Sequence, residues 1–254
     1  MARLSEIAAN KSLTIYLTLG YPSRDEMLEI VDELMRMGVD LLEFGIPYEA
    51  PKYDGPVIRR THKTVLSNGF GYGEALGLLK EIKIENQFLL TYFELAQKIG
   101  VEKFFRELSE TGVRAVLFPD LLIEYPEKLS SYDKLSDQYQ FEKVYFVSSS
   151  FPHRMIAGLV DREPSFIYMG LMASTGVALP IAVRRNIAII KGLLNDVPII
   201  GGFAVRTAEQ VRQYVDGGIS GVVIGSAVAS IIDNDNWRGN LTNLLNPILK
   251  ALKQ

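Results

Sequence analysis

The 254-residue chain has no cysteine and only two histidines, His62 and His153. The first absence excludes a disulfide framework, thiolate metal ligands and a thiol nucleophile together. The second leaves too few imidazoles for a multi-histidine site, so no metal is expected. Neither sign of charge is in large excess. Twenty-seven Lys and Arg against 30 Asp and Glu leave a formal charge of −3, which gives no reason to expect nucleic acid or a membrane as partner. Arg59-Arg60 and Arg184-Arg185 are isolated pairs that read as solvated helix surface. Long hydrophobic runs are missing too: the longest, Val222 to Ile232, is too short to span a bilayer and is broken by Gly225, Ser226 and Ser230. Met1 to Glu6 lack the apolar core of a secretory signal, so a soluble cytoplasmic protein is expected. The P-loop, dinucleotide, zinc-protease and nucleophile-elbow patterns are all absent.

What is present is a regular alternation. Hydrophobic residues make up 48 % of the chain, enough for a barrel interior and the layer beneath its helices. Short β-rich runs alternate with amphipathic helical patterns throughout, the mark of βαβ units and a parallel sheet. Eight strands are expected: Leu13–Leu19, Leu41–Phe44, Phe88–Tyr92, Ala115–Phe118, Val144–Val147, Phe166–Met169, Pro198–Ile200 and Gly221–Ile224. Ser23 and Glu26 predict a capping box, followed by a helix whose Met27, Ile30, Val31, Leu34 and Met35 share one face and which stops at Gly38. Further helices are predicted over Ala182–Leu194 and Ala208–Tyr214, the latter opened by a Thr207/Gln210 box. No linker interrupts the series. The expected fold is an α/β (β/α)8 TIM barrel spanning residues 1–254 as one domain, close to the usual barrel size of about 250 residues.

Such barrels place their chemistry at the C-terminal ends of the strands. Glu43 closes an otherwise apolar strand. It is either a general acid/base with a raised pKa or a structural carboxylate that accepts loop amide hydrogens. Asp54, before Gly55-Pro56, is either the N-cap of a helix starting at Pro56 or a second carboxylate facing Glu43. Two small-residue turns, Gly201-Gly202-Phe203-Ala204 and Gly225-Ser226-Ala227, follow the seventh and eighth strands and precede helices. There, free amides and the helix dipole favour a phosphate. Ser174-Thr175-Gly176 adds a candidate third wall. Tyr16, Tyr92 and Tyr168 face either the barrel interior or the helix layer, and periodicity does not choose between them.

These residues resemble the tryptophan synthase α chain family over almost the whole chain. Glu43-Phe44-Gly45-Ile46-Pro47-Tyr48 with Asp54-Gly55-Pro56 is similar to its signature. Tyr16 to Pro22 resembles its first strand and loop, and Phe118-Pro119-Asp120-Leu121 its fourth-strand motif. Thr175-Gly176, Gly202-Phe203 and Gly225-Ser226-Ala227 resemble its phosphate turns. The resemblance implies a lyase that splits indole-3-glycerol phosphate into indole and glyceraldehyde 3-phosphate by a retro-aldol step. No cofactor of its own is implied, pyridoxal phosphate belonging to a β-chain partner. It also implies that Glu43 is the acid/base and that Asp54 binds the indole N–H. Tyr168 would line the pocket near Glu43, with Tyr16, Tyr92 and Ile58 packing on the indole. Thr175 would contact the substrate, and Gly176, Gly202, Phe203, Ala204, Gly225 and Ser226 would hold the phosphate.

Four departures stand out. Tyr48-Glu49-Ala50-Pro51 replaces the family's Ser-Asp-Pro, Glu94 stands for an asparagine, Ala204 stands for a glycine, and Ser148 to Pro152 is atypical. The first two bear on coupling to the β chain and not on the cleavage. Two rival readings remain: another phosphate-binding barrel, an isomerase or synthase, which needs no Glu43/Asp54 pair, and a non-catalytic subunit that binds a phosphorylated metabolite and regulates a partner.

Overall fold

The computed structural model describes residues 2–148, 151–170, 181–202 and 205–253. The alternating pattern folds into eight strands: β1 Ser12–Thr18, β2 Leu41–Gly45, β3 Gln87–Leu90, β4 Val116–Leu117, β5 Val144–Ser148, β6 Phe166–Gly170, β7 Ile199–Gly202 and β8 Gly221–Ile224. All pair in parallel, in the order β4-β3-β2-β1-β8-β7-β6-β5. Because β1 pairs with both β2 and β8, the first and last units of the chain meet. The remaining seam, between β4 and β5, is held by the bridge Ala115–Glu142. The sheet therefore curls into a nearly closed (β/α)8 barrel.

Each expected strand lies within two residues of its observed bounds. The third stops early because Tyr92 leaves the ladder: its carbonyl accepts from Leu95 and Ala96 and so starts the helix Phe93–Ile99. Alternation along the strands divides the core into two clusters. On β2, Leu42 and Phe44 pack outward under the helices, while Leu41 joins the interior with Phe88, Ala115, Phe166 and Ile200. The two-residue side-chain period puts Glu43 on the same inward face as Leu41.

Helix ends follow local chemistry with one correction. The helix Arg24–Arg36 is capped by Ser23, whose hydroxyl accepts from the Glu26 amide. The Glu26 carboxylate, however, accepts a hydrogen bond from the Ser23 hydroxyl at 2.6 Å rather than from the Ser23 amide, so the box is only half formed. Gly38, at φ +84°, makes the left-handed turn that ends this segment. The Thr207/Gln210 box forms in both directions, at 3.2 and 3.3 Å, before the helix Ala208–Asp216.

A short N-terminal helix, Leu4–Ala8, adds to the expected elements. Leu4 and Ala8 enter the interior cluster. The Leu4 amide donates to Glu142 at 3.0 Å, and Glu142 also receives Ser165, at 2.7 Å, and Arg114. That carboxylate ties the open seam to the helix that lies against it, and the opposite end of the barrel carries the cleft described below. Among the described residues, no helix is long and apolar enough to cross a membrane.

Candidate functional site

Glu43 sits in the middle of β2, opposite Tyr16 on β1 and Phe88 on β3, and is fully buried. Neither carboxylate oxygen makes a hydrogen bond of ordinary geometry. Burial raises its pKa well above the usual carboxylate value, and the nearby charge of Asp54 raises it further. The Tyr168 hydroxyl opposes the shift. The result is a carboxyl group whose protonated form is favoured by its surroundings.

Asp54 is not the helix cap. The helix Pro56–Ser67 has Gly55 at its N-cap and Pro56 in its first turn, with no side-chain cap. The Asp54 carboxylate instead receives the Tyr92 hydroxyl at 2.7 Å, and the Tyr92 oxygen accepts the Tyr53 amide at 3.1 Å. Tyr92 stacks between Tyr48 and Tyr53, with ring centres at 5.4 and 6.3 Å. Burial pushes the Asp54 pKa up to about 6, while the Tyr92 bond and the Arg59 charge hold it down. Asp54 is therefore mostly ionised at neutral pH, whereas the surroundings of Glu43 favour its protonated form.

A cleft of about 270 Å³ opens at the C-terminal ends of the strands. Tyr16, Asp54, Ile58 and Tyr168 line it, and Gly225 and Ser226 border it where β8 passes into the helix Ser226–Ile231. First-turn amides of a helix have no intrahelical carbonyl to bond, so this edge is suited to an anion. The structure settles the orientation of two tyrosines: Tyr16 and Tyr168 belong to the interior cluster. The third has another place. Tyr92 does not line the cleft but braces Asp54. Glu43 is likewise not on the cleft wall; it lies in the inward layer, coupled electrostatically to Tyr168 and Asp54. Gly202 does not line it either. Thr175, Gly176, Phe203 and Ala204 lie outside the described residues.

Gly202 acts through space. A Cβ there would sit 2.2 Å from the Tyr168 hydroxyl, and in the same way a Cβ on Gly45 would sit 2.0 Å from that of Tyr16. Gly202→Ala is expected to displace Tyr168 and to cost about 1–3 kcal/mol by overpacking, read as a lowered Tm. An unchanged Tm would show that Gly202 does not set the tyrosine's position.

Several cleft residues were not singled out from the sequence. Tyr53, Phe146 and Arg206 line it. His62 lies behind it, 4.0 Å from Asp54. One signal was available: Ile58, Thr61, His62 and Val65 recur at helical spacing and form the buried face of Pro56–Ser67. Asp120, in the Pro119-Asp120 motif, serves the architecture, accepting the Phe93 and Glu94 amides at 2.8 and 3.2 Å. A larger hollow of about 800 Å³, bordered by Tyr48, Lys52, Arg59 and Lys63, is open to solvent and meets no strand end.

Comparison with known proteins agrees with this geometry. Residues 3–249 match the family model described as tryptophan synthase alpha chain. The tryptophan synthase alpha chain of Sulfurisphaera tokodaii is 30 % identical over 234 residues, covering 91 % of this chain and 94 % of that protein. The solved tryptophan synthase α-subunit of Pyrococcus furiosus superposes with a TM-score of 0.87 at 25 % identity, over 95 % of this chain and 99 % of that one. A chain of the tryptophan synthase complex from the same organism gives 0.84 at 25 % identity, with the same coverage.

Proposed function

The chain belongs to the tryptophan synthase alpha chain family, lyases that cleave indole-3-glycerol phosphate, and we propose that Glu43 and Asp54 carry out this cleavage as acid/base and electrostatic partner. The supporting observation is a pair of carboxyl groups beside one cleft, Glu43 buried and Asp54 largely so, both with raised pKa values: Asp54 at about 6 and Glu43 well above its ordinary value.

The substrate's indole lies in the cleft with its N–H on Asp54, whose carboxylate Tyr92 orients. Because Glu43 does not itself line the cleft, its side chain turns toward the bound ring. It gives its proton to the ring carbon that bears the glycerol chain, and positive charge appears on the ring nitrogen. The Asp54 carboxylate stabilises that charge in a water-poor setting. The Glu43 carboxylate then takes the proton of the hydroxyl on the adjoining chain carbon. That carbon becomes the aldehyde of glyceraldehyde 3-phosphate, and the electrons of the broken carbon–carbon bond restore the aromatic ring. The proton lent by Glu43 is returned, so the step needs no cofactor. Tyr16, Ile58 and Tyr168 bound the ring, and Thr175 contacts the substrate. Gly225 and Ser226, which border the cleft, hold the phosphate through backbone amides, and the family resemblance adds Gly176, Gly202, Phe203 and Ala204 to that role.

A β chain carrying pyridoxal phosphate is the proposed partner and the cytoplasm the proposed location. The loop Tyr48-Glu49-Ala50-Pro51 would alter the contact, not remove it. The purified chain is expected to release indole from indole-3-glycerol phosphate, faster with a β chain, and to co-elute with that chain at micromolar concentration. No indole under either condition overturns the cleavage reading; separate elution overturns the stable complex alone.

A further inference from the structure

His62 is 1 % exposed and packs on the inner face of the helix Pro56–Ser67. Its Nδ1 accepts the Tyr48 amide at 3.0 Å, so in the neutral ring the proton is on Nε2. Nε2 lies 3.0 Å from the Tyr16 hydroxyl and donates to it. The surrounding hydroxyls follow from the same proton count. Thr61 donates to the Ile58 carbonyl at 2.7 Å, so Thr18 must donate to Thr61 at 2.6 Å. Thr18 then has no hydrogen left for Tyr16, 3.3 Å away. The Tyr16 oxygen is thus an acceptor from His62, in the space that Gly45 leaves open.

We propose that His62 is a positioning residue: locked in one tautomer by the Tyr48 amide, it holds the Tyr16 phenol as a fixed wall of the ring-binding cleft, across the strand ladder from Glu43 and on the same cleft as Asp54. This rests on the cleavage reading above. Burial keeps the imidazole neutral, its pKa lowered to about 4. That matters because a protonated ring 4.0 Å from Asp54 would compete for the carboxylate that the ring N–H requires. A wall that shifts by about 1 Å misaligns the ring with the acid and can cost roughly 10²-fold in rate, while the phosphate end still anchors the substrate.

Two substitutions split the two bonds of His62. In His62→Asn, Oδ1 replaces Nδ1 and keeps the Tyr48 amide, but nothing reaches Tyr16. In His62→Gln, the amide nitrogen reaches Tyr16, but the Tyr48 amide loses its acceptor. Full-length variants are assayed for indole release from indole-3-glycerol phosphate, and for Tm. His62→Asn is expected to keep a near-parental Tm and to lower kcat at least tenfold with KM changed less than threefold. His62→Gln is expected to lower Tm yet recover most of kcat. Tyr16→Phe should repeat the kcat loss of His62→Asn, with no further loss in the double variant. Activity that follows Tm across the two His62 variants, or losses that multiply in the double variant, overturns the proposal. Should His62→Asn fail to fold, unaltered kcat in Tyr16→Phe overturns it instead. A parental chain that releases no indole marks failure of the cleavage reading, a result distinct from all of these.

Discussion

Glu43→Gln is expected to lower kcat for indole release by about 10³-fold or more, because one side chain both donates and removes a proton and such roles are each worth about 10²–10⁴. KM should change little, since the carboxyl group does not line the cleft. Stability should move the other way. Glu43 in the folded protein holds its proton to a higher pH than the ordinary glutamate value of 4.5. The stability of the parent protein is thus complete below about that pH and is lost as pH rises through the raised folded-state value. Glutamine never ionises, so the Tm advantage of Glu43→Gln should grow as pH rises from about 4.5. Parental turnover, or a Tm advantage independent of pH, would remove Glu43 from the role assigned to it.

Asp54→Asn is the second large effect. The asparagine carbonyl can still accept the Tyr92 hydroxyl, so the loop geometry survives and the negative charge alone is lost. A loss of about 10²–10³ in kcat is expected for removing one preorganised electrostatic group. The pH profile gives the sharper test. In the parent, kcat/KM should fall on the acid side as Asp54 takes a proton near its raised value of about 6, whereas in Asp54→Asn that limb should vanish. The sign for stability matches that of Glu43: the ionised form is the costly one. The cost builds as pH rises from the ordinary aspartate value of 3.8 to about 6 and is constant beyond. Relief in Asp54→Asn is on the order of 3 kcal/mol at most. A parental acid limb in the variant would assign that titration to another group.

The barrel was readable because its signal is periodic and local. Strand runs, helix faces and the Thr207/Gln210 box depend on residues close together in the chain, and the strands lie within two residues of their expected places. The short helix Leu4–Ala8 is not legible in the sequence because five residues carry too little periodicity; packing against the interior and the Glu142 carboxylate defines it. The Ser23/Glu26 box forms only by half because the carboxylate has a closer donor, the Ser23 hydroxyl.

At the site, residue types and spacings alone brought forward the two acids, the glycine turns and the anion edge, since each is a short motif with its own chemistry. Assigning roles to them required the folded chain. Asp54 reads equally well as a helix cap until Gly55 is seen to occupy that place and Tyr92 to hold the carboxylate. Tyr16, Tyr92 and Tyr168 are alike in sequence, yet two face the cleft and one braces an acid. Protonation states depend on burial and on groups 11 to 125 positions away (Asp54 and Tyr168 about Glu43), and chain order carries no record of distance. A pKa is set by the dielectric and charges around a group, and those exist only once distant strands have closed into a barrel.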